Sequence, residues 1–134
     1  MFVLDNSVAV AWFIEDEADG SVDGVLDRLQ AGDEAIVPGF WAAEFLNALG
    51  NAVRHGRMSA EALLASVGAV TDLPIRLDPE PASVARLAEL RRRQDLSPYD
   101  LCYFELAMRL GLPLATKDAA LARAADAAGI VRLL

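Results

Sequence analysis

Apolar residues in this chain fall into short runs, and the stretches between the runs carry helical spacing. Phe2-Val3-Leu4, Ala35-Ile36-Val37, Pro74-Ile75-Arg76-Leu77 and Leu114-Ala115-Thr116 read as strands, with Ile130-Val131-Arg132-Leu133 as a last short one. The second strand is stopped by Pro38. Ser7 caps a helix through about Ile14, and a second helix runs from about Ala18 to Gln30, closed by Gly32. Phe40 to His55 is helical and ends at Gly56; Ser59 caps the next helix, to about Val70, with Glu61 in its first turn. Glu80 to Arg93 forms another. Ser97 caps the following one, with Pro98 in its first position and Gly111 as its stop, and Ala119 to Ala128 is the last. Strands alternating with helical segments predict an α/β fold, a three-layer α/β/α sandwich around a mainly parallel sheet. No repeat, low-complexity tract or linker interrupts the pattern, so residues 1–134 read as one domain.

Composition narrows the class. A hydrophobic content of 54% in 134 residues is ample for a core. The single cysteine, Cys102, excludes an intrachain disulfide and points to a reducing compartment. Met1 to Ile14 is apolar but carries Asp5 and no basic leader, and no window approaches the roughly 20 uncharged residues of a membrane span. A cytoplasmic location is expected. The net charge of −8 opposes long-range attraction to a polyanion. Two basic clusters, Arg54 with Arg57 and Arg91-Arg92-Arg93, read most simply as cations complementing helix C-termini, with a substrate track as the alternative.

Four acids change the picture, because each stands where an apolar run gives out. Asp5 ends the first strand and Asp118 follows the strand at Leu114-Ala115-Thr116; Glu44 and Asp100 lie near the starts of two helices. In open parallel sheets the site forms beyond the carboxyl ends of the strands. Carboxylates gathered there repel one another unless a cation joins them, and a hard divalent metal ion is the simplest candidate. Each acid also has a plainer reading. Asp5 suits a turn, Asp118 suits an N-cap, and Ser97-Pro98-Tyr99-Asp100 matches a capping box with Asp in the acidic position. Asp100 nevertheless shares a helix side with Tyr103, Phe104 and Ala107, an unfavourable place for an unpaired charge, while Glu105 and Arg109 fall opposite. Glu44 aligns with Asn47, Asn51 and Arg54, which reads as a solvated polar face.

Other residues offer less. Ser7 and Thr116 read as a cap and a strand end, or as hydrogen-bond partners of a ligating carboxylate or water. His55 is the only histidine, which excludes cleavage of RNA by paired imidazoles. Phe40, Trp41, Tyr103 and Phe104 read as core rather than as stacking platforms. No glycine-rich phosphate loop, zinc spacing or Ser-His-Asp order is present.

Taken in order, Leu4-Asp5-Asn6-Ser7, Glu44 with Asn47-Ala48-Leu49, Arg54-His55-Gly56-Arg57-Met58-Ser59, Leu96-Ser97-Pro98-Tyr99-Asp100 and Ala115-Thr116-Lys117-Asp118-Ala119-Ala120-Leu121 resemble a PIN domain. More narrowly they resemble the VapC-type ribonuclease toxins of toxin-antitoxin pairs. The resemblance runs from about Phe2 to the end of the chain. It implies a central first strand with the strand before Asp118 beside it. It implies a Mg²⁺- or Mn²⁺-dependent endoribonuclease in which Asp5, Glu44, Asp100 and Asp118 are catalytic and hold the metal. Ser7, Asn47 and Thr116 would support them. A structured RNA substrate cut in a single-stranded loop, 5′-phosphate and 3′-hydroxyl products, a cognate antitoxin and a homodimer belong to the same implication. Two other classes remain open on sequence: a catalytically silent PIN-like binding module, and a phosphoaspartyl enzyme or receiver. Against the last, the position two after Asp5 is Ser7, and no acidic pair lies beside Asp5.

Overall fold

A computed structural model describes residues 1–134. Its strands are β1 (Phe2–Leu4), β2 (Ala35–Val37), β3 (Ile75–Leu77) and β4 (Leu114–Ala115), and all pair in parallel in the order β3-β2-β1-β4. The helices α1 (Asn6–Ala11), α2 (Gly20–Gln30), α3 (Trp41–Arg54), α4 (Ala60–Thr71), α5 (Val84–Arg91), α6 (Pro98–Leu110) and α7 (Ala119–Ala127) flank the sheet, with a 3₁₀ turn at Glu15–Glu17. This is the expected α/β/α arrangement. Parallel strands covered on both faces tolerate unbroken apolar runs, and every residue of β1 and β2 is buried. Edge strand β3 carries Arg76, whose guanidinium meets Glu34 at 3.2 Å.

The strand order creates the site. From β1 the chain winds outward to β2 and β3, then returns across the sheet to lay β4 on the other side of β1. The reversal leaves a crevice between β1 and β4 at their carboxyl ends. The register pairs Leu4 with Ala115, so Asp5 and Thr116 emerge side by side.

Several boundaries differ from the sequence reading. Helix α1 starts at Asn6, with Asp5 at the N-cap position, and the Ser7 hydroxyl does not cap it; it donates to Asp5 Oδ2 at 2.6 Å instead. Helix α2 starts at Gly20 because Asp19 caps it, accepting from the Ser21 amide at 2.8 Å. Helix α5 starts at Val84, not Glu80, since Pro81 disfavours helical backbone at Glu80 and Ser83 caps by accepting from the Arg86 amide. Ile130 to Leu133 forms a single parallel bridge, Leu114 with Arg132, rather than a strand. With β4 only two residues long, Leu114 alone offers both backbone groups, donating to Val131 and accepting from Leu133. Both faces of α6 are covered: Glu105 is buried and bonded to Arg109 at 3.0 Å. Gly111, at φ 62°, ends that helix in the left-handed region, where a glycine is least strained.

Candidate active site

Asp5, Glu44, Asp100 and Asp118, far apart in sequence, line one open cleft of about 360 Å³. Asp5 continues β1. Asp118 is the N-cap of α7 and accepts from the Leu121 amide at 2.8 Å. Glu44 stands in the first turn of α3 and Asp100 in the first turn of α6. Four helix amino ends, those of α1, α3, α6 and α7, therefore face the cleft, and their partial positive charges offset some of the repulsion among the acids. The Phe40 ring packs edge-on against Tyr99 at 5.2 Å and Tyr103 at 5.8 Å, which locks the start of α3 against that of α6.

Asp5, Glu44 and Asp118 are held through their carboxylates, and Asp100 through its backbone amide. Asp5, only 5% exposed, accepts from Ser7 and from Thr116, both at 2.6 Å on Oδ2. Ser7 also accepts from the Lys117 amide, and Thr116 accepts from the Asp118 amide, so two hydroxyls tie the ends of β1 and β4 together. Glu44 Oε1 accepts from the Tyr103 hydroxyl at 2.6 Å. Ser97 caps the helix that carries Asp100, accepting from the Asp100 amide at 3.2 Å.

The sequence reading placed Tyr103 in the core. Its ring is fully buried, yet its hydroxyl reaches the site. The signal was its position one helical turn from Asp100 on the same side. Asn47 departs from its expected role: it is exposed, does not line the cleft and makes no hydrogen bond to the acids, because Glu44 and Ala48 are the residues α3 turns inward there. Arg57 is committed to Asp16 at 2.6 Å, and Arg54 to the Asn51 side chain. Asn6, Glu17 and Lys117, which the sequence did not single out, also line the cleft. Lys117 Nζ donates to the Glu17 carbonyl at 2.8 Å and pairs with Asp19 at 2.9 Å.

Burial is the main cause that raises the pKa of Asp5, of Glu44 and of Asp100. Hydrogen bonds from Ser7 and Thr116 oppose it at Asp5, and the Tyr103 bond opposes it at Glu44. Mutual repulsion adds to it: Asp118 acts on Asp5 and Asp100, and Asp5 acts on Glu44 and Asp100. Burial, with the Glu44 bond, also pushes the Tyr103 phenol far above its ordinary range.

These shifts predict a pH dependence. Between the ordinary carboxyl range, about 4, and the raised values, the folded protein holds more protons than the unfolded chain, so stability falls as pH rises. Asp16, Asp19 and Asp33 are held low by Arg57, by Ser21 and by the N-terminal amine; their contribution is present above the ordinary range and is lost as pH falls below it. Without divalent ions the melting temperature is expected to be lower at about pH 7.5 than at about pH 5. A melting temperature equal or higher at the upper pH would mean that the cleft acids ionise in the fold without cost.

The donor set is hard oxygen, with no histidine or cysteine in the cleft wall, which suits Mg²⁺, Mn²⁺ or Ca²⁺ rather than zinc. Two oxygens of that wall, Asn6 Oδ1 and Glu17 Oε2, are buried without a hydrogen-bond partner. Each is an acceptor that a cation or its waters would satisfy. No three His, Cys, Asp or Glu side chains converge tightly enough to hold one ion as they stand. Repulsion and the separate hydrogen bonds of Asp5, Glu44 and Asp118 keep the carboxylates apart. Mg²⁺ tolerates that spacing, since it retains several waters and takes one or two direct carboxylates. The residues present therefore fit a hydrated hard divalent ion.

The family model of the PIN domain matches residues 2–127. The fold is similar to that of PAE2754 from Pyrobaculum aerophilum, with TM-score 0.75 and 19% identity over 98% of this chain and 88% of that one. It is similar to VapC20 of Mycobacterium tuberculosis, a toxin that cleaves the sarcin-ricin loop, with TM-score 0.62 and 18% identity over 98% and 97% of the two chains. FitAcB from Neisseria gonorrhoeae follows at TM-score 0.57 and 21% identity over 98% and 96%. No curated protein matches the sequence. At these identities the solved structures establish the fold.

Proposed function

This chain belongs to the PIN-domain family, and on that premise we propose that it is a Mg²⁺- or Mn²⁺-dependent endoribonuclease, the toxin of a toxin-antitoxin pair, acting in the cytoplasm as one domain. The observation that carries the reading is the convergence of four acids from four separate segments on one cleft at the reversal point of the sheet. Asp5, Glu44, Asp100 and Asp118 hold the ion, some of them through water. Bound there, it supplies a water acidified toward neutral pH and charge neutralisation for the phosphate. Ser7 and Thr116 fix Asp5, and Tyr103 fixes one oxygen of Glu44, leaving the other free. Asp118 completes the site or orients the attacking water. Hydrolysis leaves a 5′-phosphate and a 3′-hydroxyl on an RNA cut in an unpaired loop, where bases and backbone are accessible.

The test compares cleavage of total cellular RNA with Mg²⁺ and with chelator, by wild type and by Asp100→Asn. Cleavage by the wild type alone, and only with Mg²⁺, is expected. The variant should keep its metal-free stability, since losing a charge relieves repulsion while losing a favourable helix-end interaction of about 0.3 to 1 kcal/mol. It should also gain less melting temperature from Mg²⁺. Normal cleavage and normal Mg²⁺ stabilisation in the variant would make Asp100 a capping residue and dissolve the four-acid site. No cleavage by the wild type under either condition would favour a silent binding module.

A homodimer and a cognate antitoxin belong to this reading. An apolar groove of about 370 Å³ between α3, α4 and β3, lined by exposed Leu46 and Leu77 and by largely buried Trp41 and Phe45, supports association. Sedimentation showing only monomer at micromolar concentration would remove the homodimer. Failure of the neighbouring gene product to co-purify would remove the antitoxin.

A further inference from the structure

A protein of net charge −8 that binds RNA needs a local source of positive potential. Most of its cations are already spent. Arg28, Arg57, Arg76, Arg86, Arg109, Lys117 and Arg132 sit in ion pairs, which leaves Arg54, Arg91, Arg92, Arg93 and Arg123 with no carboxylate partner. Of these, Arg123 lines a groove of about 440 Å³ that adjoins the acid cleft. The two cavities share Lys117, and Thr116, which bonds Asp5, forms part of the groove wall.

Lys117, Arg123 and Arg132 line the groove; Asp19 pairs with Lys117 at 2.9 Å and Asp126 with Arg132 at 2.7 Å, which leaves Arg123 as the unpaired charge there. Lys117 has used two of its three ammonium protons, on Glu17 and Asp19, and keeps a third. Ala119 and Ala122 form part of the lining, and their small side chains leave room beside the exposed Arg123 guanidinium. We propose that this groove is the track for the RNA backbone flanking the scissile phosphate, with Lys117 at the junction and Arg123 binding a phosphate one or more nucleotides away. The proposal rests on the ribonuclease reading above. It also displaces Arg91-Arg92-Arg93 as the substrate track, since that run lines neither cavity.

The experiment is steady-state cleavage, in Mg²⁺ at two or more salt concentrations, of a labelled RNA that carries a loop cut in the total-RNA assay. It compares wild type, Arg123→Ala, Arg123→Glu and the control Arg92→Glu. Arg123 is exposed and unpaired, so its variants should melt like wild type and show the same Mg²⁺-induced rise. Arg123→Ala is expected to raise KM about two- to fivefold with kcat unchanged, and Arg123→Glu to raise it further. The salt dependence of log kcat/KM should become shallower by about 0.7 for the Ala variant, the value of one lost single-strand phosphate contact. Arg92→Glu should change neither. Unaltered KM and salt slope in both Arg123 variants, beside a wild type that cleaves, would overturn the track and leave the ribonuclease reading standing. A wild type that does not cleave overturns both.

Discussion

Asp5→Asn is expected to reduce RNA cleavage by more than about 100-fold while the protein stays folded. Loss of a group that only orients a metal-binding residue costs about 10- to 100-fold, and Asp5 is itself the residue that Ser7 and Thr116 orient. Thr116→Val is therefore the graded comparison, with a loss inside that range. Folding should survive because the amide keeps the carboxylate's shape, and the two hydroxyls can rotate to suit its NH₂ group. Removing a buried charge that is repelled by Asp118 also favours the metal-free fold. Inducing the wild type alone in a host should halt growth, and Asp5→Asn should relieve the arrest at equal protein level. Equal arrest by both would show that the harm is not catalytic. Equal cleavage by both would remove Asp5 from the site.

Arg109→Ala is expected to cost about 1 to 3 kcal/mol, because it strips two buried carboxylates of their main partner while the guanidinium itself is 27% exposed. Its guanidinium bonds Glu105 at 3.0 and 3.2 Å and Asp78 at 2.6 Å. The Glu105 and Asp78 side chains are only 4% and 5% exposed. Removing Arg109 leaves two buried carboxylates with Arg86, 4.0 Å from Glu105, as the remaining cation. Such uncompensated charges account for the penalty; the intact pair contributes far less than its loss would suggest. Urea melts give the direct measurement. Replacing the whole group, Arg109→Met with Glu105→Leu and Asp78→Asn, should recover much of the loss, since no carboxylate is then left buried without a cation and well-packed apolar side chains often equal a buried ion group. A single-variant loss below about 1 kcal/mol would place Arg109 among surface pairs instead.

Local signals were enough for much of this chain. The caps at Ser59 and Ser97, the stops at Gly56 and Gly111 and the apolar runs of β1 and β2 act through neighbours a few residues away, so sequence alone places them. The order of the four acids, each beside such a boundary, was legible for the same reason. Their meeting was not: Asp5 and Asp118 become neighbours only because β4 returns across the sheet to pair with β1. Helical phase places a residue on one side of its own helix but does not say what covers that side. Phase put Glu105 opposite Asp100 but not that it would be buried and paired with Arg109, and Tyr103 looked like core until α3 brought Glu44 to its hydroxyl. Asn47 shares the polar side of α3 with Glu44, yet the helix turns only Glu44 and Ala48 into the cleft. Most element boundaries, and the positions of the four candidate acids beside them, could be read from the sequence, because caps, stops and apolar runs act over a few residues. Which charges are buried, paired or left free depends on the faces of distant elements that come into contact, and that is visible in the fold alone.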